Sequence, residues 1–120
     1  MPSSKNTVCG ATGSGSSEVQ GDVYLNPDDP HGTMPYLLDL QHDLLSDLST
    51  RVVVPLVHVG AFGRLASGLH PTFTIGGQDL VMATHLIAAI GKGGLGTLAG
   101  TLADRRDEIL AAVDILWGGV

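Results

Sequence analysis

The clearest periodic signal in the chain lies in its last residues. Across residues 102–120, Leu102, Ile109, Val113, Leu116 and Trp117 recur at spacings of three, four and seven, which puts them on one stripe of a helix suited to lie on a sheet. Thr101, with Asp104 three residues later, makes a capping-box-like start. Asp104, Asp107 and Glu108 complement the positive end of the helix dipole, and Gly118 supplies the stop. Trp117 is the only tryptophan, and three small residues follow it, so little chain remains to cover it. Two readings stay open: a core tryptophan at the foot of an amphipathic helix, or an exposed binding anchor.

Upstream the pattern changes to that of strands. Asp22-Val-Tyr-Leu-Asn alternates and is broken by Pro27, Pro30 and Gly32, predicting a strand and then an exposed loop that carries Asp28 and Asp29. Residues 36–41 predict a second strand, with Leu38 and Leu40 on one face and Leu37, Asp39 and Gln41 on the other. Residues 44–48 read as a connector. Residues 51–59 give the strongest strand signal, because β-branched residues dominate, and Pro55 within them implies an edge or a bulge. Residues 60–68 read as a loop, and residues 71–84 as a hairpin turned at Gly76-Gly77. The apolar, glycine-rich residues 86–98 predict a further twisted strand with a loop. Antiparallel strands closed by one terminal helix make a small barrel or rolled sheet, a mainly β fold with a C-terminal α-helix.

Length and composition narrow the class. At 120 residues, 43% hydrophobic, 4% aromatic and with 17 glycines, the chain suits one globular domain rich in strands and turns, not a helical bundle. A domain of this size gains stability from oligomerisation. Six Lys and Arg against twelve Asp and Glu give a net charge of −6, and the longest basic run is Arg105-Arg106. Direct binding to nucleic acid is disfavoured, since neutralising phosphates takes clustered cations, and a basic protein or peptide partner suits the surface better. The single cysteine, Cys9, fits a reducing compartment. Neither a signal-peptide core nor an apolar run long enough to span a membrane is present, which predicts a soluble, cytoplasmic protein. Residues 1–20, small and polar with Gly10, Gly13 and Gly15, read as a disordered tail or an engineered remnant, leaving residues 21–120 as the domain.

Several patterns imitate chemistry. Gly91-Lys-Gly-Gly-Leu-Gly matches G-x-G-x-x-G, but 24 residues follow it, too few for a parallel βαβ unit and its ribose-binding acid. His31, His42, His58, His70 and His85 are scattered, without the spacing of a zinc site, so no metal or other cofactor is expected. Ser, His and Asp are present without any local signature of nucleophilic catalysis, and no catalytic residue is assigned.

The ordered set of segments resembles a known family. Asp22-Val-Tyr-Leu-Asn-Pro, Pro35-Tyr-Leu-Leu-Asp-Leu-Gln-His-Asp-Leu-Leu, Arg51-Val-Val-Val-Pro-Leu, Leu69-His-Pro-Thr-Phe, Leu102-Ala-Asp-Arg-Arg-Asp-Glu-Ile and the terminal Trp-Gly are similar, in order and spacing, to the CcdB toxins of bacterial toxin–antitoxin modules. The resemblance implies a homodimer of small SH3-like barrels, each with a C-terminal helix, neutralised by a cognate CcdA-like antitoxin. It implies a toxin that binds the A subunit of DNA gyrase through that protein's dimerisation region and traps the cleaved DNA complex, poisoning an enzyme without being one. The family's binding residues carry over to Trp117 and Gly118, with Gly119 inserted and Val120 as the aliphatic end. A tryptophan facing an arginine is a cation–π hot spot, and a glycine-containing tail passes close to another backbone. Where the family usually has one glycine after the tryptophan, this chain has Gly118 and Gly119, and ordering the second costs additional backbone entropy.

Two other functions compete. MazF- or Kid-type ribonucleases share the barrel, and Gly21-Asp-Val-Tyr resembles their opening. Such an enzyme needs a cation for the pentacovalent phosphate and an acid–base pair, for which Arg51 or Arg64 with Asp79 or a histidine are the candidates. A non-toxic homologue that only sequesters antitoxin is the other. The acidic loop at residues 28–30 reads as a solvated loop or an antitoxin docking surface, and Ile115 and its neighbours as the place to look for the dimer contact.

Overall fold

A computed structural model of the chain describes residues 20–29, 31–41 and 48–118. The N-terminal tail, Cys9, Pro30, His42, most of the connector at residues 44–48, and Gly119 and Val120 lie outside the described residues. Among the described residues, seven strands form one antiparallel sheet: β1 (Asp22–Leu25), β2 (Tyr36–Asp39), β3 (Thr50–His58), β4 (Thr72–Ile75), β5 (Gln78–Met82), β6 (Ala88–Gly91) and β7 (Leu98–Thr101). Their order is β4-β5-β3-β2-β1-β7, and β6 pairs with β3 beside β5. The sheet rolls into a half-barrel, and two helices complete it, the short α1 (Val59–Phe62) and the terminal α2 (Arg106–Gly118).

The long β3 organises the roll. Along one flank it pairs with β2, from Tyr36↔Leu56 to Asp39↔Val53. Along the other it is shared: β6 takes Thr50 to Val53, and β5 takes Leu56 to His58. Pro55 falls in the gap between these two partners. It therefore sits neither at a sheet edge nor in a two-partner bulge, as the sequence suggested, but at a junction where no ladder asks for its missing N–H. Its carbonyl is still used, accepting the Ala83 amide at 3.0 Å.

The hairpin of β4 and β5 pairs Phe73 with Leu80 and Ile75 with Gln78. Gly76 (φ 58°) and Gly77 (φ 80°) both occupy the left-handed region, which the primed two-residue turn requires and which L side chains avoid. Residues 86–98 hold more than the single strand expected: β6, a 3-10 turn at Lys92–Gly94, and the start of β7. The turn is anchored rather than slack, since the Gly96 amide donates to the Leu25 carbonyl at 2.9 Å.

Val23, Leu38, Leu40, Val54, Leu56, Phe73, Leu80 and Met82 form the core, closed by Leu102, Ile109 and Ala112. The opposite face of β2 is buried as well. Asp39 and Arg51 are both fully buried and ion-paired at 2.5 Å, with the Arg51 Nε also donating to Asp39 at 3.1 Å. The other carboxylate oxygen of Asp39 accepts the Gln41 amide at 2.9 Å, and the Gln41 side chain accepts the Val52 amide at 3.0 Å. A buried pair held in this way fixes the register of β2 on β3.

Candidate partner-binding site

Helix α2 starts through a 3-10 turn, Ala103–Arg105, and the Thr101 hydroxyl accepts the Ala103 amide at 3.2 Å. The predicted start is thus displaced by one turn, because Leu102 remains in the sheet network, its amide donating to the Gly21 carbonyl at 2.7 Å. Leu102, Ile109 and Ala112 are buried, and Val113 packs against the core. Burial then declines along the helix. Ile115 and Leu116 are half-buried, while Trp117 stands 70% exposed, the most exposed of the large apolar side chains described.

The stripe predicted from spacing is therefore correct for its first two turns and wrong for Trp117 as a core residue. Burial does not continue to the end of the helix, so Trp117 is exposed although it is in phase with Val113. Its exposure rules out the core reading. Gly118 ends α2 and is exposed. Ile115, the sequence candidate for a dimer contact, packs within the chain: a Cβ added at Gly68 would lie 2.9 Å from its Cδ1, so the glycine makes room for it.

A cleft of about 420 Å³ lies on the hairpin side, lined by Val59, Thr72, Phe73, Thr74, Asp79 and Arg105. The Arg105 guanidinium stacks 4.6 Å from the Phe73 ring centroid and is held by Glu108 at 2.8 Å through Nε, with the Thr72 carbonyl at 3.4 Å. Asp79 accepts the Thr74 hydroxyl at 3.0 Å. The ribonuclease assignment of Arg51 fails on this geometry, because that guanidinium is buried against Asp39 and presents no charge to a phosphate. Arg64 is exposed, and Asp79 shares its cleft with Arg105, a residue that residue spacing alone did not nominate for chemistry.

Two of the five histidines converge. His70 Nε2 and His85 Nδ1 are 3.1 Å apart, His70 Nδ1 accepts the Ala66 amide at 2.9 Å, and the Phe62 ring packs edge-on to both. The hairpin register, run past its ends, places residue 70 opposite 83, two residues short of His85, so the pairing was foreshadowed by the turn. Burial, and then the neighbouring His85, lower the pKa of His70 from its ordinary 6.5. Among the described residues no three His, Cys, Asp or Glu side chains converge as metal ligands would. No helix there is long and apolar enough to cross a membrane. The acidic loop is braced by its own bonds, with Asp29 accepting the Met34 amide at 2.9 Å and Asn26 accepting the Asp28 amide at 3.1 Å.

Comparison with known proteins adds a family and a fold. The family model described as CcdB protein matches residues 20–119. No curated protein matches the chain in sequence. Among solved structures, an endoribonuclease in complex with its cognate antitoxin from mycobacterial species superposes with a TM-score of 0.65 at 19% identity, covering 83% of this chain and 94% of that one. An endoribonuclease from mycobacterial species gives 0.59 at 18%, covering 83% and 90%. The MazE–MazF complex (form II) from Deinococcus radiodurans gives 0.57 at 16%, covering 83% and 93%. At such identities the likeness is one of fold.

Proposed function

The chain belongs to the CcdB family of toxin–antitoxin toxins, and from that membership we propose that it binds the A subunit of DNA gyrase through the end of α2 and traps the gyrase–DNA cleavage complex. The observation that carries this reading is Trp117, a large aromatic side chain left 70% exposed at the tip of a helix whose Ile109, Ala112 and Val113 are used by the core. An exposed tryptophan offers wide contact area at small entropic cost and a face for an arginine of the target, the usual composition of a hot spot. Gly118 follows it in the helix, and the sequence continues with Gly119 and Val120, which complete the proposed contact. In this reading the protein works by occupancy, has no catalytic residue and needs no cofactor. It acts in the cytoplasm as a homodimer and is neutralised by a cognate CcdA-like antitoxin.

Calorimetry of the purified protein with the dimerisation fragment of the gyrase A subunit tests the proposal, with Trp117→Ala as control. Saturable binding by the parent, weakened at least about 30-fold in the variant, is expected for a hot-spot residue worth about 2 kcal/mol or more. No binding by the well-folded parent would overturn the reading and leave the antitoxin-sequestering decoy and the ribonuclease.

One observation favours a second reading, ribonuclease activity: Asp79 and Arg105 share a cleft. Two features weigh against it. Glu108 already engages Arg105, and the net charge of −6 repels a polyanion. Cleavage of RNA by the purified protein, lost in Arg105→Ala, would promote this reading over the first.

A further inference from the structure

The bonds between Ala66, His70 and His85 form a directional chain. Because the Ala66 amide donates to Nδ1 of His70, the neutral ring carries its proton on Nε2 and donates it to Nδ1 of His85. His85 then holds its own proton on Nε2. Each imidazole has one lone pair, and each lone pair is already accepting a hydrogen bond. A proton added to His70 goes to Nδ1 and displaces the Ala66 amide. One added to His85 goes to Nδ1 and confronts the Nε2–H of His70.

The two ends of this chain belong to different elements. Ala66 and His70 lie in the loop that follows α1, where the His70 amide returns to the Ala66 carbonyl at 3.1 Å. His85 lies in the 3-10 turn Thr84–Leu86, which packs against α2. Between Ala66 and His70 sits Gly68 (φ 79°), against the Ile115 methyl of α2. We propose that His70 and His85 form an acid-released latch, which joins the non-titrating bond of the Thr84 hydroxyl to the Leu69 carbonyl (2.5 Å) in fastening the loop of residues 63–70 to the turn packed on α2, and which loosens that loop against Ile115 when either imidazole gains a proton.

Few charges compete with the pair. The charged residues on the packed elements are Arg64 in the loop and Arg106, Asp107, Glu108 and Asp114 in α2, of which Asp114 neighbours Ile115, and among the described residues neither imidazole is ion-paired. Burial and the His85 charge both oppose protonation of His70. The latch is accordingly closed above the ordinary histidine pKa and opens as pH falls below it. The inference is independent of the gyrase proposal, since it concerns the free protein.

An NMR titration of the full chain from about pH 8 to about pH 5, following both imidazoles, the Ala66 amide and the Ile115 methyl, tests it. The expected result is a His70 midpoint below 6.5, shared by the Ala66 and Ile115 resonances. His70→Asn, whose side-chain oxygen replaces Nδ1 as an acceptor without titrating, should flatten the Ala66 transition. His85→Asn preserves the acceptor for His70 and removes the second charge, so the His70 midpoint should rise toward the ordinary value. Titration of both imidazoles with either the Ala66 or the Ile115 resonance unmoved would overturn the latch, as would an Ala66 transition that survives in His70→Asn.

Discussion

At the scale of single residues, the Asp39–Arg51 pair and Trp117 make opposite demands on the fold. Asp39 and Arg51 are fully buried, so deleting one partner strands a charge in the interior. Asp39→Ala should cost about 3–5 kcal/mol in chemical denaturation, with most of it recovered when Arg51 is also replaced by Met. Recovery in the double variant would identify the cost as that of the unpaired guanidinium rather than of the lost carboxylate. Trp117 is mostly in solvent, and Trp117→Ala should change stability by no more than about 0.5 kcal/mol. A large loss in thermal unfolding would return the residue to the core and remove the basis for its proposed role. Neither status was legible from residue type: Asp39 alternates in sequence like a surface residue, and Trp117 is in phase with buried positions.

At the scale of elements, the turn and helix signals were the most informative because they are local. Gly76-Gly77 dictates its hairpin through backbone sterics alone, and Gly77→Ala, forced to φ 80°, should cost about 1–2 kcal/mol in thermal unfolding while preserving the strand register. The periodic stripe of α2 likewise predicted which face packs. What spacing could not convey was how far along the helix burial extends, and that limit separates Val113 from Trp117. β7 escaped notice for a related reason. Leu98–Thr101 is too short and too poor in β-branched residues to announce itself, and becomes a strand by pairing with β1. Pro55 was read as an edge signal because its chain neighbours are visible in sequence and the division of its flank between β5 and β6 is not.

At the scale of the whole molecule, charge and protonation set the behaviour expected in solution. His70 titrates below its ordinary 6.5 in the folded state, so within that window the unfolded chain binds more protons. Stability should therefore be full above about pH 6.5 and decline as pH falls through the lowered pKa, and His70→Asn should remove that part of the slope in melts followed across the range. Equal slopes in parent and variant would show that other groups govern the acid limb. The family and the half-barrel agree with the reading of ordered segments along the chain, whereas the target of the toxin rests on the proposal for Trp117.

The pairing of β1 with β7 sets Val23 opposite Gly100, and the amide of Leu102 closes on Gly21. Residues near the beginning of the domain thus wait for residues near its end. On the ribosome the outer edge of β1 stays open until β7 has emerged, and the helix that carries Trp117 has no completed rim to stand on before then. On the proposal for Trp117, a nascent or prematurely terminated chain would consequently be unable to present its binding helix. Closing the sheet joins residues far apart in the chain, and contacts of that separation form late in folding.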